Sequence, residues 1–352
     1  MKSLGKFPDR FFEEIAGQPD AILRAAQAAS EQGDQLAEIT RLAATATSIV
    51  FTGMGSSHFA CYAPVTTMAR AGIHSSMIDA AELLHFRMPA ITEHTLVICV
   101  SQSGESAEPV RVASALALRD HRPMIVTITN GLENSLARIA DVALDTRAGE
   151  ELGPSTMTFD ATLVLLRELA IALGAPATEP DVYPAAAAAV AARVVGGELQ
   201  AEQLGSWLGD RSSLAIMARG HGRPAAEMGA LTLKEAARFP AESLQTAQFR
   251  HGPLELASPG LGAVVIAIEP ATAAIDVGLA RELVDTGAAV MVITGDGNGP
   301  VGALNVGIGT VDPGLASAAA IVPLQLLSWR LANLRGLEPG SYSVAHKVTT
   351  RE

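Results

Sequence analysis

Short apolar runs recur along the chain, separated by longer stretches with helical spacing. In the first half they read "SIVFTGMG" (Ser48–Gly55), "TLVICVSQSGES" (Thr95–Ser106), "PMIVTITN" (Pro123–Asn130) and "DVALDTRAG" (Asp141–Gly149). In the second half they read "SLAIMARG" (Ser213–Gly220), "AVVIAIEP" (Ala263–Pro270), "AVMVITGDG" (Ala289–Gly297) and "LNVGIGTV" (Leu304–Val311). Unbroken apolar runs of this length, closed by Gly, Ser or Asn, predict parallel strands buried on both faces, with helices between them.

The two series are in step. Phe51, Ile98, Val126 and Leu144 precede Ile216, Ile266, Val292 and Gly307 by 165, 168, 166 and 163 positions. So constant an offset implies two copies of one α/β unit, each a doubly wound, flavodoxin-like parallel sheet flanked by helices. "APATEPDVYPAAAAAV" (Ala175–Val190), with three prolines before an Ala-rich helix, reads as the linker. The expected organisation is a helical segment over 1–34, a first domain over 35–174, linker and helix over 175–198, a second domain over 199–335 and a tail over 336–352.

Composition narrows the functional classes. The chain has 352 residues, 49% hydrophobic but only 4% aromatic, so the core is built from Ala, Val, Leu and Ile. A net charge of −12 argues against a nucleic-acid partner, since such proteins concentrate positive charge. Two cysteines, Cys61 and Cys99, without a CxxC pair fit a reducing compartment, and the charged N-terminus, lacking an apolar core, is not expected to be a signal peptide. The most apolar stretch, "ATLVLLRELAIALGA", is interrupted by Arg167 and Glu168 and falls short of a membrane span. A cytoplasmic protein with no membrane partner is expected.

Open parallel sheets bind ligands beyond the carboxyl ends of their strands, so the loops there carry the candidate chemistry. "GMGSSH" (Gly53–His58) offers Gly55, Ser56 and Ser57 at a strand-to-helix turn, where glycines let backbone N–H groups approach an anion. "SQSGES" (Ser101–Ser106) adds Ser101, Ser103, Ser106 and the Gln102 amide; a helix cap explains one serine but not all of these donors. Together the loops read as a phosphate cradle. "AGEELGPST" (Ala148–Thr156) either borders the same pocket through Glu151 and Thr156 or is an ordinary loop. "GHGRPAAEMGALTLKEAARFPAE" (Gly220–Glu242) carries Glu235 among several charged residues, and "RHGP" (Arg250–Pro253) follows it. The eight histidines show no HxH or HxxxH spacing, so neither a metal nor another cofactor is expected.

Taken in order, "SQSGES", "AGEELG", "RGHGRPAAEMGALTLKE", "AES", "RHGPLEL", "VPLQLLSWRLANLRGLEP" and "HKVTTRE" resemble the sugar isomerase (SIS) family over about Val50 to Glu352. The resemblance is specifically to the isomerase half of glucosamine-6-phosphate synthase and its stand-alone relatives. It implies a pair of SIS domains, with a sugar phosphate held by the Ser101–Ser106 loop beside Ser56 and Ser57. It also implies that Glu235 moves a proton between C1 and C2 and that His251, supplied by the partner subunit of a homodimer, opens the sugar ring. Lys347 is then the lysine that reaches the carbonyl carbon.

The sequence departs from the synthase at Thr232, where the synthase has lysine, and at Met228, where it has glutamate, Glu227 lying one place away. The sequence shows no glutaminase region, so no internal source of ammonia is expected. The resemblance therefore implies an aldosamine-6-phosphate deaminase/isomerase. The alternatives are a fructosamine-6-phosphate deglycase, a plain aldose–ketose isomerase, or a non-catalytic sugar-phosphate sensor.

Overall fold

The computed structural model describes residues 9–177 and 181–351, so parts of the expected N-terminal segment, linker and tail lie outside the described residues. Among the described residues the strands form two parallel sheets of five. The first contains β1 (Ser48–Gly53), β2 (Ser75–Asp79), β3 (Thr95–Val100), β4 (Met124–Thr129) and β5 (Val142–Asp145) in the order β2-β1-β3-β4-β5. The second contains β6 (Leu214–Ala218), β7 (Ala241–Gln245), β8 (Gly262–Ile266), β9 (Ala289–Thr294) and β10 (Leu304–Gly307). Its order, β7-β6-β8-β9-β10, repeats the first.

The eight apolar runs became β1, β3, β4, β5, β6, β8, β9 and β10. The two remaining strands, β2 ("SSMID") and β7 ("AESLQ"), have largely half-buried positions filled by polar residues, so they carry no continuous apolar run. Register also refines the repeat. Phe51 pairs with Ile98, and Ile216 pairs with Val264, so the counterpart of Ile98 is Val264 rather than Ile266.

The chain divides into two compact units that are not contiguous in sequence. Among the described residues, one comprises 20–150, 157–177, 181–183 and 344–351 and holds the first sheet. Its core gathers Val50, Val97, Cys99, Ile125 and Leu136 with Val112 and Leu116 of the helix Ala107–Ala117. The other comprises 9–19, 151–156 and 184–343 and holds the second sheet. Its helix Ala316–Leu334 is apolar on every side and buried over most of its length, the mark of a core helix rather than a surface one. The helix Arg223–Ala237 crosses it at Gly229, where an added Cβ would stand 2.2 Å from Leu324 Cδ1. Only glycine permits that approach.

Candidate functional site

In the unit of the first sheet, β1 runs into a turn that calls for glycine at two places. A Cβ on Gly53 would meet the Val100 carbonyl at 2.7 Å, and Gly55 has φ +52°. The chain then enters the short helix Gly55–Ala60 with Ser56 half-buried and Ser57 buried. β3 ends at Val100, and the Ser101 N–H extends the ladder by donating to the Ile128 carbonyl at 3.1 Å. This is where strand order reverses between β1 and β3, the position at which open α/β sheets take ligands.

The serine loop is tightly organised. Ser101 Oγ accepts from the Gly104 N–H at 3.2 Å and donates to Ser106 Oγ at 3.3 Å. Ser103 Oγ accepts from the Glu105 N–H at 3.2 Å. Gly104, at φ +64°, lies against Asn134, whose Oδ1 caps the helix Ser135–Ile139 through the Ala137 N–H. The Glu105 carboxylate accepts from the Ser135 hydroxyl and N–H, which holds its pKa below the usual value. Ser56, Ser57 and Gln102 line one narrow crevice with Thr158, Phe159 and Thr162 of the helix Met157–Ala172. The sequence offered no signal for those three, since they lie on a helix that is mostly core. Lys347 is half-buried, and two positions later the Thr349 carbonyl accepts from the Ala107 N–H at 3.0 Å, at the start of the helix that follows the serine loop.

In the other unit, Glu235 occupies the last turn of the Arg223–Ala237 helix and is half-buried. That turn is closed by Arg238 in the left-handed region, and by Arg335, which donates to the carbonyls of Ala237 at 3.0 Å and Arg238 at 2.7 Å. Glu151 is buried and accepts from the Thr156 N–H at 2.7 Å and hydroxyl at 3.0 Å. A third carboxylate was not foreseen. Glu14, 2% exposed on the helix Arg10–Ala16, accepts from the N–H groups of Leu152 at 2.7 Å and Gly153 at 3.1 Å, with Arg10 Nε 3.0 Å away. A Cβ on Gly153 would stand 2.8 Å from Glu14 Oε2.

The phenol of Tyr342 lies within the electrostatic reach of all three carboxylates. Its burial, and after that the negative charges of Glu235, Glu151 and Glu14, push its pKa upward. It remains a protonated donor throughout the neutral range. Glu14 and Tyr342 come from opposite ends of the chain, and neither belongs to a motif.

His251 lies in the exposed turn after the helix Thr246–Phe249, ahead of Gly252 at φ +127°. Arg250 beside it is held by Glu282 at 2.7 and 2.9 Å. At the positions that depart from the synthase pattern, Met228 and Thr232 are both fully buried, and Thr232 Oγ1 makes no hydrogen bond. Glu227 pairs with Arg223. Among the described residues no helix is long and apolar enough to cross a membrane, and no three His, Cys, Asp or Glu side chains are grouped to hold a metal ion.

The sequence profile of the SIS domain matches residues 43–172 and 208–329, one match on each sheet. The chain belongs to the SIS domain family. Among curated relatives it is 30% identical over 353 residues to the glutamine–fructose-6-phosphate aminotransferase [isomerizing] of Thermococcus kodakarensis, covering 96% of this chain and 57% of that protein. It is 26% identical over 360 residues to the protein of the same name from Pyrobaculum aerophilum, covering 100% of this chain and 59% of that one. The SIS chain thus spans somewhat more than half the length of these relatives.

Solved structures share the fold. The C-terminal domain of glucosamine-fructose-6-phosphate aminotransferase from Francisella tularensis superposes with a TM-score of 0.82 at 21% identity, covering 97% of this chain and 100% of that one. Tagatose-6-phosphate ketose/aldose isomerase from Escherichia coli gives 0.80 at 20% identity, covering 98% of each chain. Glucosamine-6-phosphate deaminase from Thermotoga maritima gives 0.71 at 20% identity, covering 92% and 99%.

Proposed function

We propose that this SIS protein is an aldosamine-6-phosphate deaminase/isomerase, acting on a glucosamine-6-phosphate-like substrate in the cytoplasm as a homodimer. The observation that carries the reading is the hydroxyl-rich loop at the β1/β3 reversal, with a second serine turn beside it. Ser56, Ser57, Ser101, Gln102, Ser103 and Ser106 hold the phosphate by hydrogen bonding. Relatives and structural neighbours named as enzymes of hexose or hexosamine 6-phosphates support the substrate class.

In this reading His251, from the partner subunit, moves the proton that opens the hemiacetal ring, a task suited to a side chain that titrates near neutrality. Glu235 removes the proton from C2 of the open aldosamine, giving an enolamine, and returns it to C1. The product is a 2-imino sugar. Water adds to its C2 and ammonia leaves, so that aldosamine 6-phosphate and water become ketose 6-phosphate and ammonia. Lys347 holds the carbonyl end. Tyr342 keeps a proton donor beside Glu235, and Glu151 with Glu14 makes the surroundings negative, which favours a substrate bearing an amine.

The test is an assay of ammonia, amino-acid and ketose release over aldosamine 6-phosphates, fructosamine 6-phosphates and plain hexose 6-phosphates. Ammonia and ketose 6-phosphate in equal amounts from an aldosamine phosphate are expected. Replacing Glu235 by Gln should lower turnover at least about a hundredfold while binding persists. Amino-acid release from fructosamine phosphates alone would replace the reading with a deglycase. Binding without turnover of any substrate would replace it with a sensor.

A further inference from the structure

The second repeat contains the same turn that forms the cradle in the first, and it is already filled. Gly55 has φ +52°, and its counterpart 165 positions on, Gly220, has φ +49°. Ser56 therefore corresponds to His221. The loops after the third strand of each repeat align just as closely. Ser101 N–H donates to the Ile128 carbonyl, and Ala267 N–H donates to the Ile293 carbonyl, so Ser103 corresponds to Glu269. Where the first repeat has a short hydroxyl, the second has a carboxylate.

That carboxylate occupies the turn. Glu269 is 4% exposed, and its Oε1 accepts from the His221 N–H at 2.7 Å and lies 2.7 Å from His221 Nδ1. It also lies so close over Gly220 that a Cβ there would stand 2.4 Å from Oε1. His221 itself is 2% exposed, and its carbonyl accepts from Ser317 Oγ at 2.6 Å, which fixes the turn from the other side. The preceding cation is neutralised internally as well, for Arg219 Nε lies 2.6 Å from Asp276 Oδ1. An oxyanion buried on a backbone N–H at a left-handed glycine is the arrangement expected of a bound phosphate oxygen.

We propose that the second repeat is an anion-binding turn whose anion is the chain's own Glu269 carboxylate, so that each chain presents one phosphate site and a second is blocked from within. The inference rests on the reading of the first-repeat loops as a phosphate cradle. Restoring the hydroxyl of the first repeat, with Glu269→Ser, then opens a latent site for a phosphate-like oxyanion.

The experiment is equilibrium dialysis of wild type and Glu269→Ser against radiolabelled inorganic phosphate, with urea unfolding of both proteins in and out of saturating phosphate. Bound phosphate should rise from one per chain to two, and phosphate should stabilise the variant more than wild type, since a ligand of the folded state alone stabilises it by mass action. Glu269→Gln, which keeps the shape and an accepting oxygen, should stay at one. A Glu269→Ser protein that folds and binds no more phosphate than wild type overturns the proposal. So does one that remains unfolded in saturating phosphate. Wild type that binds no phosphate at all instead overturns the cradle reading, a separate result.

Discussion

Replacing Gly104 by alanine should damage stability and phosphate binding together. At φ +64° an alanine is in the left-handed region, which costs roughly 1–2 kcal/mol. Its Cβ would stand 2.0 Å from Asn134 Oδ1, so Asn134 must leave the N-cap of the Ser135–Ile139 helix, at a further cost of about 1 kcal/mol. The Gly104 N–H that donates to Ser101 Oγ turns with the backbone, and the serine hydroxyls lose their arrangement. Gly72 supplies the control. It has φ +74° with no heavy atom within 4 Å of an added Cβ, so Gly72→Ala bears the backbone cost alone. In parallel urea titrations Gly104→Ala should be the less stable by about 1 kcal/mol, the value of the lost cap. Calorimetry with a hexosamine 6-phosphate should show weakened binding for Gly104→Ala and none of that weakening for Gly72→Ala. Equal stabilities, or an unchanged affinity in Gly104→Ala, would refute the account of the loop.

Ser101→Ala should weaken binding of phosphorylated sugars by about 1–2 kcal/mol, one charge-assisted hydrogen bond, and leave non-phosphorylated sugars unaffected in the same calorimetry. Glu235→Gln and His251→Ala proteins, each nearly inactive alone, should recover about a quarter of wild-type activity when refolded together, because half the dimers are mixed and each mixed dimer has one intact site. Verified heterodimers without activity would contradict a shared site. Burial pushes the Cys99 thiol up to about 12, and raises that of Cys61 through burial and the neighbouring Cys99, so Ellman's reagent at mildly alkaline pH should label neither in the native protein and both in urea. Since these thiols ionise in the unfolded chain at about 9 but in the folded chain only above that, stability should fall as pH rises past about 9, and less so in the Cys61→Ala, Cys99→Ala protein.

Where burial is complete the sequence was readable. β3, β8 and β9 are buried along nearly all their length, so their apolar runs stand out against any background. β2 and β7 did not stand out, because their half-buried positions carry Ser, Asp, Glu and Gln, whereas the other two edge strands, β5 and β10, kept short apolar runs. The serine loops were legible because glycine and hydroxyl residues cluster at a strand end for few reasons other than turning or donating. Glu14 and Tyr342 were not. A glutamate on an N-terminal helix and a tyrosine near the C-terminus acquire their meaning only when folding brings both into the field of Glu151 and Glu235. Glu269 was silent for a similar reason, since its role depends on a hydrogen bond to His221 across the β6/β8 reversal.

The membership of the two units bears on how the protein is born. Residues 9–19 belong with 184–343, while 344–351 belong with 20–150. A nascent chain emerging from the ribosome can thus assemble the first sheet early, yet its opening helix must wait for partners made much later. The central helix Ala316–Leu334, apolar on all sides, arrives late, and until then the Arg223–Ala237 helix exposes the groove at Gly229 that Leu324 will fill. Cutting the gene at the linker would not yield two self-sufficient halves, because each would lack a piece encoded in the other.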